Sequence, residues 1–205
     1  LFNAMVVTLV EHGITPSALA ARLTYLGAPE AMQAAVAAGL CGLGSVFVGS
    51  TEGCAKMLYE ALPDPKARAD LPALARRIVA DHRAHRQIVP GIGHPIHKPR
   101  DPRTGRLFEI ARETGFYGGY CELVQLIAAE AERAAGKSLP LNATGAIGAL
   151  GCELGFDWKV LRGLGVMARA IGLVGHLLEE SREPIAQEVW LRVEEEASDH
   201  LKPKT

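Results

Sequence analysis

The chain has 205 residues, of which 48% are hydrophobic and 5% aromatic, and its formal net charge is -1. This composition predicts a globular protein with one or two packed units. The near-neutral charge gives no reason to expect nucleic acid or a membrane surface as a partner, because basic residues are concentrated only locally, at about residues 94 to 106.

The four cysteines occur singly, in apolar or helical surroundings and without a C-x-x-C pair: Cys41, Cys54, Cys121 and Cys152. This pattern favours buried free thiols of a cytoplasmic protein over a disulfide framework or a zinc site, and we expect no metal. No apolar run reaches the length of a membrane span, and no signal-peptide pattern occurs. The chain begins at Leu1, inside an apolar stretch and without methionine, so we expect it to be the carboxy-terminal part of a longer protein.

Nearly every periodic segment is helical. The predicted helices cover residues 1–10, 15–26, 29–42, 54–62, 70–86, 104–114, 117–136, 141–154, 158–180 and 184–197. Thr15 as N-cap and Pro16 at the first helical position mark the start of the second predicted helix. The third predicted helix is rich in small residues. These would allow close packing in a helix–helix core or at a dimer interface, or they are present only because alanine favours helix formation. The glycine-bounded stretch 44–53 predicts a turn. Because no stretch alternates between polar and apolar residues, the chain is predicted to be all-α.

The stretch from Val89 to Arg103, VPGIGHPIHKPRDPR, is the part of the chain that we expect to carry function. Its four prolines prevent a continuous helix, and Gly91 and Gly93 allow the backbone amides to approach a ligand closely. Histidine, lysine and arginine side chains are crowded onto this irregular loop. A solvated basic turn would need only one or two turn residues, so a binding loop is the better interpretation.

Arg169 is the strongest candidate outside this loop. It occurs among the apolar residues of a predicted helix, where burial of a guanidinium is costly unless an anion meets it; a structural ion pair with a glutamate is the alternative. His176, on the same helix, is expected to be a satisfied core histidine. Together, His12, His94, Arg103 and Arg169 have the chemistry of a pocket for a small polycarboxylate. Arginines bind carboxylates through paired hydrogen bonds, and histidines donate to keto or hydroxyl oxygens.

Four motifs, in the same order, resemble those of the citrate synthase superfamily, and within it the citryl-CoA lyase module found in ATP-citrate lyase. They are Glu11-His12-Gly13 with Pro16-Ser17, Pro90-Gly91-Ile92-Gly93-His94 with Asp101-Pro102-Arg103, Asn142-Ala143-Thr144-Gly145, and Arg169-Ala170-Ile171-Gly172 with Gly175-His176. The second motif is the most specific, down to the nine-residue step from histidine to arginine. The resemblance extends from about His12 to about Glu180.

The resemblance implies an all-helical protein in which a smaller domain is inserted in a large domain and closes over substrates. By this analogy, residues 1–53 and 154–205 belong to the large domain and residues 54–153 form the small one. The resemblance also implies a homodimer built largely from the early helices, or a higher homo-oligomer. Its substrates would be an acyl-CoA thioester and an oxo acid such as oxaloacetate, with no bound cofactor.

The resemblance also implies roles for individual residues. His12, His94, Arg103 and Arg169 would hold the dicarboxylate, and the catalytic positions would be His12, His94 and Thr144. The CoA-binding residues would be Val89, Pro90, Gly91, Ile92, Gly93, His97, Lys98 and Arg100, with the amides of residues 89–93 against the adenine. The reaction would be an aldol- or Claisen-type step, in which a base removes a proton and fixed donors stabilise a thioester enolate.

Two positions depart from the synthase pattern. Phe47 stands where synthases carry a histidine that donates to the thioester carbonyl, as a phenylalanine does in the lyases, and this favours the lyase branch. Thr144 stands where both branches carry the aspartate that acts as the base. A neutral hydroxyl is a poor proton acceptor, and loss of a general base commonly costs about 10²- to 10⁴-fold in rate. His12 is the first candidate for a replacement base, ahead of Glu153 and Asp157.

Two functions of different class follow from this pattern. The first is a citryl-CoA lyase-like or citrate synthase-like enzyme that makes or breaks a carbon–carbon bond between an acyl-CoA and an oxo acid. The second is a catalytically degenerate family member that binds acyl-CoA or a dicarboxylate as a sensor or partner subunit. The direction of the reaction and the identity of both substrates stay open at this point. The late arginine that the family usually takes from the partner subunit has only a weak match, in Arg182.

Overall fold

A computed structural model describes residues 1–66, 68–94 and 99–201. Its helices are α1 (Phe2–Val10), α2 (Pro16–Gly27), α3 (Met32–Cys41), α4 (Ser45–Ala61), α5 (Leu71–Ala84), α6 (Pro102–Glu113), α7 (Gly119–Ala135), α8 (Ala143–Glu153), α9 (Leu161–Glu180) and α10 (Ala186–Ser198), with 3-10 turns at Trp158–Val160 and Asp199–Leu201. Within the described ranges no strand occurs, and Ile92 and Leu141 form an isolated antiparallel bridge. The predicted all-α class is confirmed.

Short polar side chains begin four of these helices. Each accepts a hydrogen bond from a backbone N–H in the first turn: Thr15 from Ala18, Asp70 from Ala73, Asp101 from Arg103 and Asn142 from Gly145. Removing such a cap typically costs about 0.5–2 kcal/mol. The predicted start of α2 at Thr15 and Pro16 is therefore confirmed.

The predicted turn at residues 44–53 is wrong, because residues 45–53 continue into Cys54 as the single helix α4. Glycines in this helix serve close packing rather than a turn. A Cβ placed on Gly53 would lie 3.3 Å from the ring of Pro90, and a Cβ on Gly148 of α8 would lie 2.9 Å from the carbonyl oxygen of Thr51. Close packing of this kind offsets the cost of about 1 kcal/mol that each glycine imposes on a helix.

The chain divides into two compact units, Leu1–Thr8 with Ser45–Gly165 and Leu9–Gly44 with Val166–Thr205. In the first unit, α4, α6 and α7 pack on α8, and α5 packs on α7. Helix α8 is buried along almost its whole length because its small residues allow neighbouring helices to approach. The first unit contains residues 54–153, and the division into an inserted small domain and a large domain stays a prediction.

The second unit is built on α2, α3, most of α9 and α10. Ala18 and Ala21 of α2, Ala35 of α3, and Leu173 and Leu177 of α9 form its buried apolar cluster. Gly39 of α3 is essential to this packing, because a Cβ there would lie 2.7 Å from Leu173 Cδ1 and 2.9 Å from the carbonyl oxygen of Ser17. The small residues of α3 therefore serve a helix–helix core within this unit.

Two further expectations are corrected by the structure. Cys41 is exposed rather than buried, whereas Cys54, Cys121 and Cys152 are buried, and burial raises the pKa of Cys54 to about 12. The helical stretch Trp158–Glu180 is long and apolar enough to cross a membrane by length and composition alone, and α3 with α4 passes the same test as a pair bent by 65°. Half of the most apolar window of Trp158–Glu180 is buried within the protein.

Candidate active site

The loop Val89–His94 lies directly on the amino end of α8. Gly91 and Gly93 have φ angles of +84° and +91°, which disfavour any side chain. A Cβ on Gly91 would lie 2.5 Å from the Cα of Gly145, and a Cβ on Gly145 would lie 2.6 Å from the carbonyl oxygen of Gly91. Glycine is thus needed on both sides, because the two backbones touch.

Backbone hydrogen bonds fasten this loop to the chain that precedes α8. The Gly93 N–H donates to the carbonyl oxygen of Pro140 at 2.7 Å, and the Asn142 N–H donates to that of Gly91 at 3.0 Å. The Asn142 side-chain amide donates to the carbonyl oxygen of Gly93 at 2.8 Å. This pairing sets the position of the loop relative to α8.

The loop's own amide donors are already engaged inside the protein. The Gly91 N–H donates to Ser50 Oγ at 2.9 Å, and the Ile92 N–H donates to the carbonyl oxygen of Val89 at 3.2 Å. With Gly93 bonded to Pro140, the N–H groups of residues 91–93 are engaged within the protein. The binding of CoA by Val89–Gly93 stays a prediction.

Asp101 joins the amino ends of α6 and α8. Its fully buried carboxylate accepts hydrogen bonds from the backbone N–H, Nε and Nη2 of Arg103 at 3.1, 2.9 and 2.7 Å, and from the Ala143 N–H at 3.0 Å. Burial alone would raise the pKa of Asp101, but the hydrogen bonds and charge of Arg103, with the Ala143 amide, outweigh burial and lower this pKa below its usual value. Asp101 thereby holds Arg103 in one orientation.

Replacing Asp101 by asparagine is expected to lower the free energy of unfolding by about 1.5–3 kcal/mol, because charge-assisted hydrogen bonds are lost and the new amide NH2 faces other donors. The depressed pKa means that this contribution is present above the unfolded-state value of about 3.9 and disappears as pH falls through the folded-state value. Urea unfolding at pH 7 and pH 3 measures both effects. The exposed Asp81→Asn is the matched control and should change stability by less than about 0.5 kcal/mol.

Thr144 belongs to a short chain of hydroxyl groups. Its Oγ1 lies 2.7 Å from Asn142 Oδ1 and 3.2 Å from Ser50 Oγ. Asn142 Oδ1 also accepts from the Gly145 N–H and cannot donate, so Thr144 donates to Asn142 and the Ser50 hydroxyl is free to donate to Thr144. Ser50, which receives the Gly91 N–H, was not anticipated from the sequence. Thr144 is therefore held as a hydroxyl donor.

His94 and Arg103 lie next to each other in the first unit. Arg103 Nη2 is 3.5 Å from His94 Nε2, and a guanidinium only donates, so this contact is a hydrogen bond when Nε2 is unprotonated. The Arg103 side chain is partly exposed, so part of its guanidinium group is accessible to an anion. Arg100 is exposed, and the predicted CoA-binding residues His97 and Lys98 lie outside the described residues.

The two weaker candidates for a replacement base are engaged elsewhere in the first unit. Glu153 accepts from the N–H groups of Tyr120 and Cys121 at 2.8 and 3.1 Å and so caps α7; burial raises its pKa against the effect of these bonds. Asp157 is exposed and accepts from the Lys159 N–H at 3.0 Å at the start of a 3-10 turn. Both carboxylates thus have local structural roles.

In the second unit, Arg169 is buried, with 6% of its surface exposed. Its Nη1 donates to the carbonyl oxygen of Val10 at 2.9 Å, and its Nη2 donates to Thr15 Oγ1 at 3.4 Å. Over residues 1–66, 68–94 and 99–201, no carboxylate forms an ion pair with it, so the alternative of a structural pair with a glutamate is wrong. A buried guanidinium without a counter-ion is suited to bind an anion.

In the sequence, His12 lies between Val10 and Thr15, the two residues to which Arg169 donates hydrogen bonds. It is exposed, on a turn in which Gly13 has a φ angle of +76° and donates its N–H to the Glu11 carboxylate. The four predicted dicarboxylate ligands therefore divide between the units: His94 and Arg103 belong to the first, and His12 and Arg169 to the second. Their role as ligands stays a prediction.

Sequence reasoning missed Arg22 of α2, which is almost completely buried in the second unit. Arg22 forms ion pairs with Glu180 at 2.7 Å and with Glu179, and its Nη2 lies 2.9 Å from His176 Nδ1. On its other side, His176 Nε2 lies 3.0 Å from the Glu11 carboxylate. His176 Nδ1 is thus partnered, but the buried Nε2 makes no hydrogen bond within the described residues, so the expectation of a satisfied core histidine holds for one ring nitrogen only. The signal that singled out Arg169, a charge among apolar neighbours, is also present at Arg22.

The described residues contain no group of three or more histidine, cysteine, aspartate or glutamate side chains placed to hold a metal ion. Besides the Asp101 carboxylate, which is engaged by Arg103 and Ala143, the polar groups around the loop are arginine, histidine, amide and hydroxyl groups. Such groups bind carboxylates and polarised oxygens.

Comparison with solved structures shows the same fold. The citryl-CoA lyase of Hydrogenobacter thermophilus is 36% identical, with a TM-score of 0.79, over 88% of this chain and 68% of that chain. The ATP citrate lyase of Methanothrix soehngenii, solved in complex with citrate and coenzyme A, is 26% identical, with a TM-score of 0.68, over 88% of this chain and 31% of that one. The citrate synthase of Thermotoga maritima, at 20% identity and a TM-score of 0.70, shares the fold.

A curated relative and a family model agree with these structures. The probable ATP-citrate synthase subunit 1 of Neurospora crassa is 28% identical over 199 residues, which cover 88% of this chain but only 28% of the relative. The chain thus spans little more than a quarter of that protein. The model of the citrate synthase C-terminal domain matches residues 1–188. The chain therefore belongs to the citrate synthase family and has its all-α fold.

Proposed function

We propose that this protein is a citryl-CoA lyase-like or citrate synthase-like enzyme, with cleavage of citryl-CoA to acetyl-CoA and oxaloacetate as the reaction to test first. The observation that carries the proposal is the arrangement of His94, Asp101 and Arg103 around the loop on α8, in a chain 36% identical to a solved citryl-CoA lyase. Asp101 directs the Arg103 fork, and His94 lies beside it. Phe47, exposed in the first turn of α4, supports the lyase branch.

In this proposal the substrate's carboxylates bind Arg103, Arg169, His12 and His94. A base takes the proton from the citryl hydroxyl group, the bond between that carbon and the acetyl methylene breaks, and the thioester enolate receives a proton to give acetyl-CoA. His12, exposed on its turn, is our first candidate for the base because Thr144 is held as a donor. Donors fixed in advance stabilise the enolate oxygen as its charge develops.

The proposal predicts a large effect of His94→Ala. Offered citryl-CoA, the purified protein should release acetyl-CoA and oxaloacetate, and the variant should have a kcat/KM lower by about 10²- to 10⁴-fold, because a positioned acid–base and oxyanion donor is lost. Mass spectrometry of the CoA products measures both. His85→Ala removes an exposed histidine of the same unit and should leave the rate unchanged. Equal rates for both variants would remove His94 from the mechanism.

Thr144 favours a second candidate function, a degenerate family member that binds acyl-CoA or a dicarboxylate without turnover. In that case the natural protein would neither cleave citryl-CoA nor form citrate from acetyl-CoA and oxaloacetate. CoA or oxaloacetate would still raise its melting temperature. Thr144→Asp would then create activity. The introduced carboxylate must turn away from Asn142 Oδ1, because the Asn142 amide is fixed by its bonds to Gly93 and Gly145.

We also propose a homodimer. Four exposed apolar side chains recur every three or four residues along α9 and so share one face: Met167, Ile171, Val174 and Leu178, with exposures between 43% and 54%. A face of this kind is typical of an interface. Sedimentation at micromolar concentration tests the dimer.

A further inference from the structure

The turn that carries His12 lies directly on α9. Arg169 of α9 bonds to Val10 and Thr15, the residues that flank the turn on either side. Gly172, one helical turn further along, faces the carbonyl group of Val10 so closely that a Cβ there would collide with its oxygen. The backbone on both sides of His12 is therefore fixed by α9.

Glu11 links this turn to the interior of the second unit. One oxygen of its carboxylate accepts the Gly13 N–H, which helps to hold Gly13 at its positive φ angle. The other oxygen lies 3.0 Å from His176 Nε2. This contact is an electrostatic one, because the buried Nε2 makes no hydrogen bond among the described residues.

Arg22 determines which nitrogen of His176 carries the proton. Its Nε and Nη2 lie 3.3 and 2.9 Å from His176 Nδ1, and a guanidinium has donors only, so Nδ1 must accept. The proton of the neutral ring is then on Nε2, the nitrogen that lies 3.0 Å from the Glu11 carboxylate. Arg22 cannot turn away, because Glu180 and Glu179 hold its other donors and its side chain is only 1% exposed.

We propose that His176 is a positioning residue for His12. Held by Arg22 in the tautomer with the proton on Nε2, His176 keeps the Glu11 carboxylate over the Gly13 N–H and thereby sets the turn that presents His12 to an oxo acid. The part concerning oxo-acid binding rests on the proposed function. A purely structural His176 would contribute to stability alone, whereas a positioning residue also controls the order of the turn.

The test compares three variants of the second unit. His176→Phe removes both polar contacts, and His176→Gln retains an acceptor for Arg22 and a donor for Glu11. Leu177→Ala, at the next residue and fully buried, is the control for lost packing. The measurements are amide hydrogen exchange of residues 10–15, the Kd for oxaloacetate and for CoA by titration calorimetry, and the melting temperature.

We expect His176→Phe to speed exchange of residues 10–15 and to raise the Kd for oxaloacetate, each by about tenfold, with the Kd for CoA unchanged. His176→Gln should restore both, whereas Leu177→Ala should lower the melting temperature without changing either. If His176→Phe lowers the melting temperature like Leu177→Ala and leaves exchange and the oxaloacetate Kd unchanged, His176 is a packing residue and the inference is wrong.

Glu11→Gln tests the same link without changing the core, because Glu11 is exposed. An amide has one oxygen, so it can replace only one of the two carboxylate oxygens that contact Gly13 and His176, and we expect the same faster exchange as in His176→Phe. Unchanged exchange in Glu11→Gln would also overturn the inference. If the unaltered protein fails to bind oxaloacetate, the proposed function fails, and the exchange measurements still decide whether His176 orders the turn.

Discussion

Replacing Arg22 by methionine is expected to lower the free energy of unfolding by about 3–5 kcal/mol, because removal of one partner from a buried ion pair leaves an uncompensated charge. The Glu180 side chain is only 3% exposed and would lose its bond to Arg22. It would keep the N–H groups of Ile185 and Ala186, at 3.0 and 2.8 Å, which do not neutralise its charge. Chemical denaturation at pH 7 measures the loss.

The pH dependence of this loss follows from Glu180. Burial alone would raise its pKa, but the bond to Arg22 and the two backbone N–H groups outweigh burial and lower the pKa. The stabilisation is therefore present above the unfolded-state pKa of about 4.3 and is lost as pH falls through the lower folded-state value. The difference between the natural protein and Arg22→Met should shrink accordingly in acid.

An exposed ion pair provides the control for Arg22. Arg192 and Glu188 on α10 are 69% and 72% exposed, so Arg192→Met should change stability by about 0–1 kcal/mol. A loss below about 1 kcal/mol in Arg22→Met as well would show that Glu180 accommodates its charge without Arg22.

Gly91→Ala is the second substitution with a large expected effect. The methyl group would need the space of the Gly145 backbone, 2.5 Å away, at a φ angle of +84°. Overpacking costs about 1–3 kcal/mol and a left-handed residue with a side chain about 1–2 kcal/mol more. Because the clash is between backbones, the loop must move, and we expect weaker CoA binding together with the loss of stability. Calorimetric titration with CoA and denaturant unfolding measure the two effects.

The variant Gly136→Ala separates the cost of the positive φ angle from the cost of the clash with Gly145. Gly136 ends α7 at a φ angle of +63°, and a Cβ there meets nothing within 4 Å, so only the backbone cost of about 1–2 kcal/mol is expected. If both variants lost the same stability and bound CoA equally, the contact between Gly91 and Gly145 would have no importance for the loop.

The sequence predicted most helices because their signals are local. Thr15 with Pro16 marks the start of α2, and a change from irregular to periodic residues is visible at the start of α6. The turn predicted at residues 44–53 failed for a tertiary reason. Glycine is favoured in turns and disfavoured in helices, so the glycines of this stretch predicted a turn, and only a packed neighbour such as Pro90 against Gly53 shows that they belong to a helix.

The sequence by itself determined the all-α class, the irregular backbone of residues 89–94 and the family resemblance, since periodicity, prolines and motif spacing are properties of order along the chain. The predicted loop ends earlier than expected, because Pro102 and Arg103 already belong to α6. Only the tertiary structure decided that Asp101 holds Arg103, that Ser50 meets Thr144, and that Arg22 sets the tautomer of His176. Ser50 and Thr144 are 94 residues apart, and Arg22 and His176 are 154 apart. The strength of a hydrogen bond or ion pair depends on distance and burial, which residue order alone does not contain.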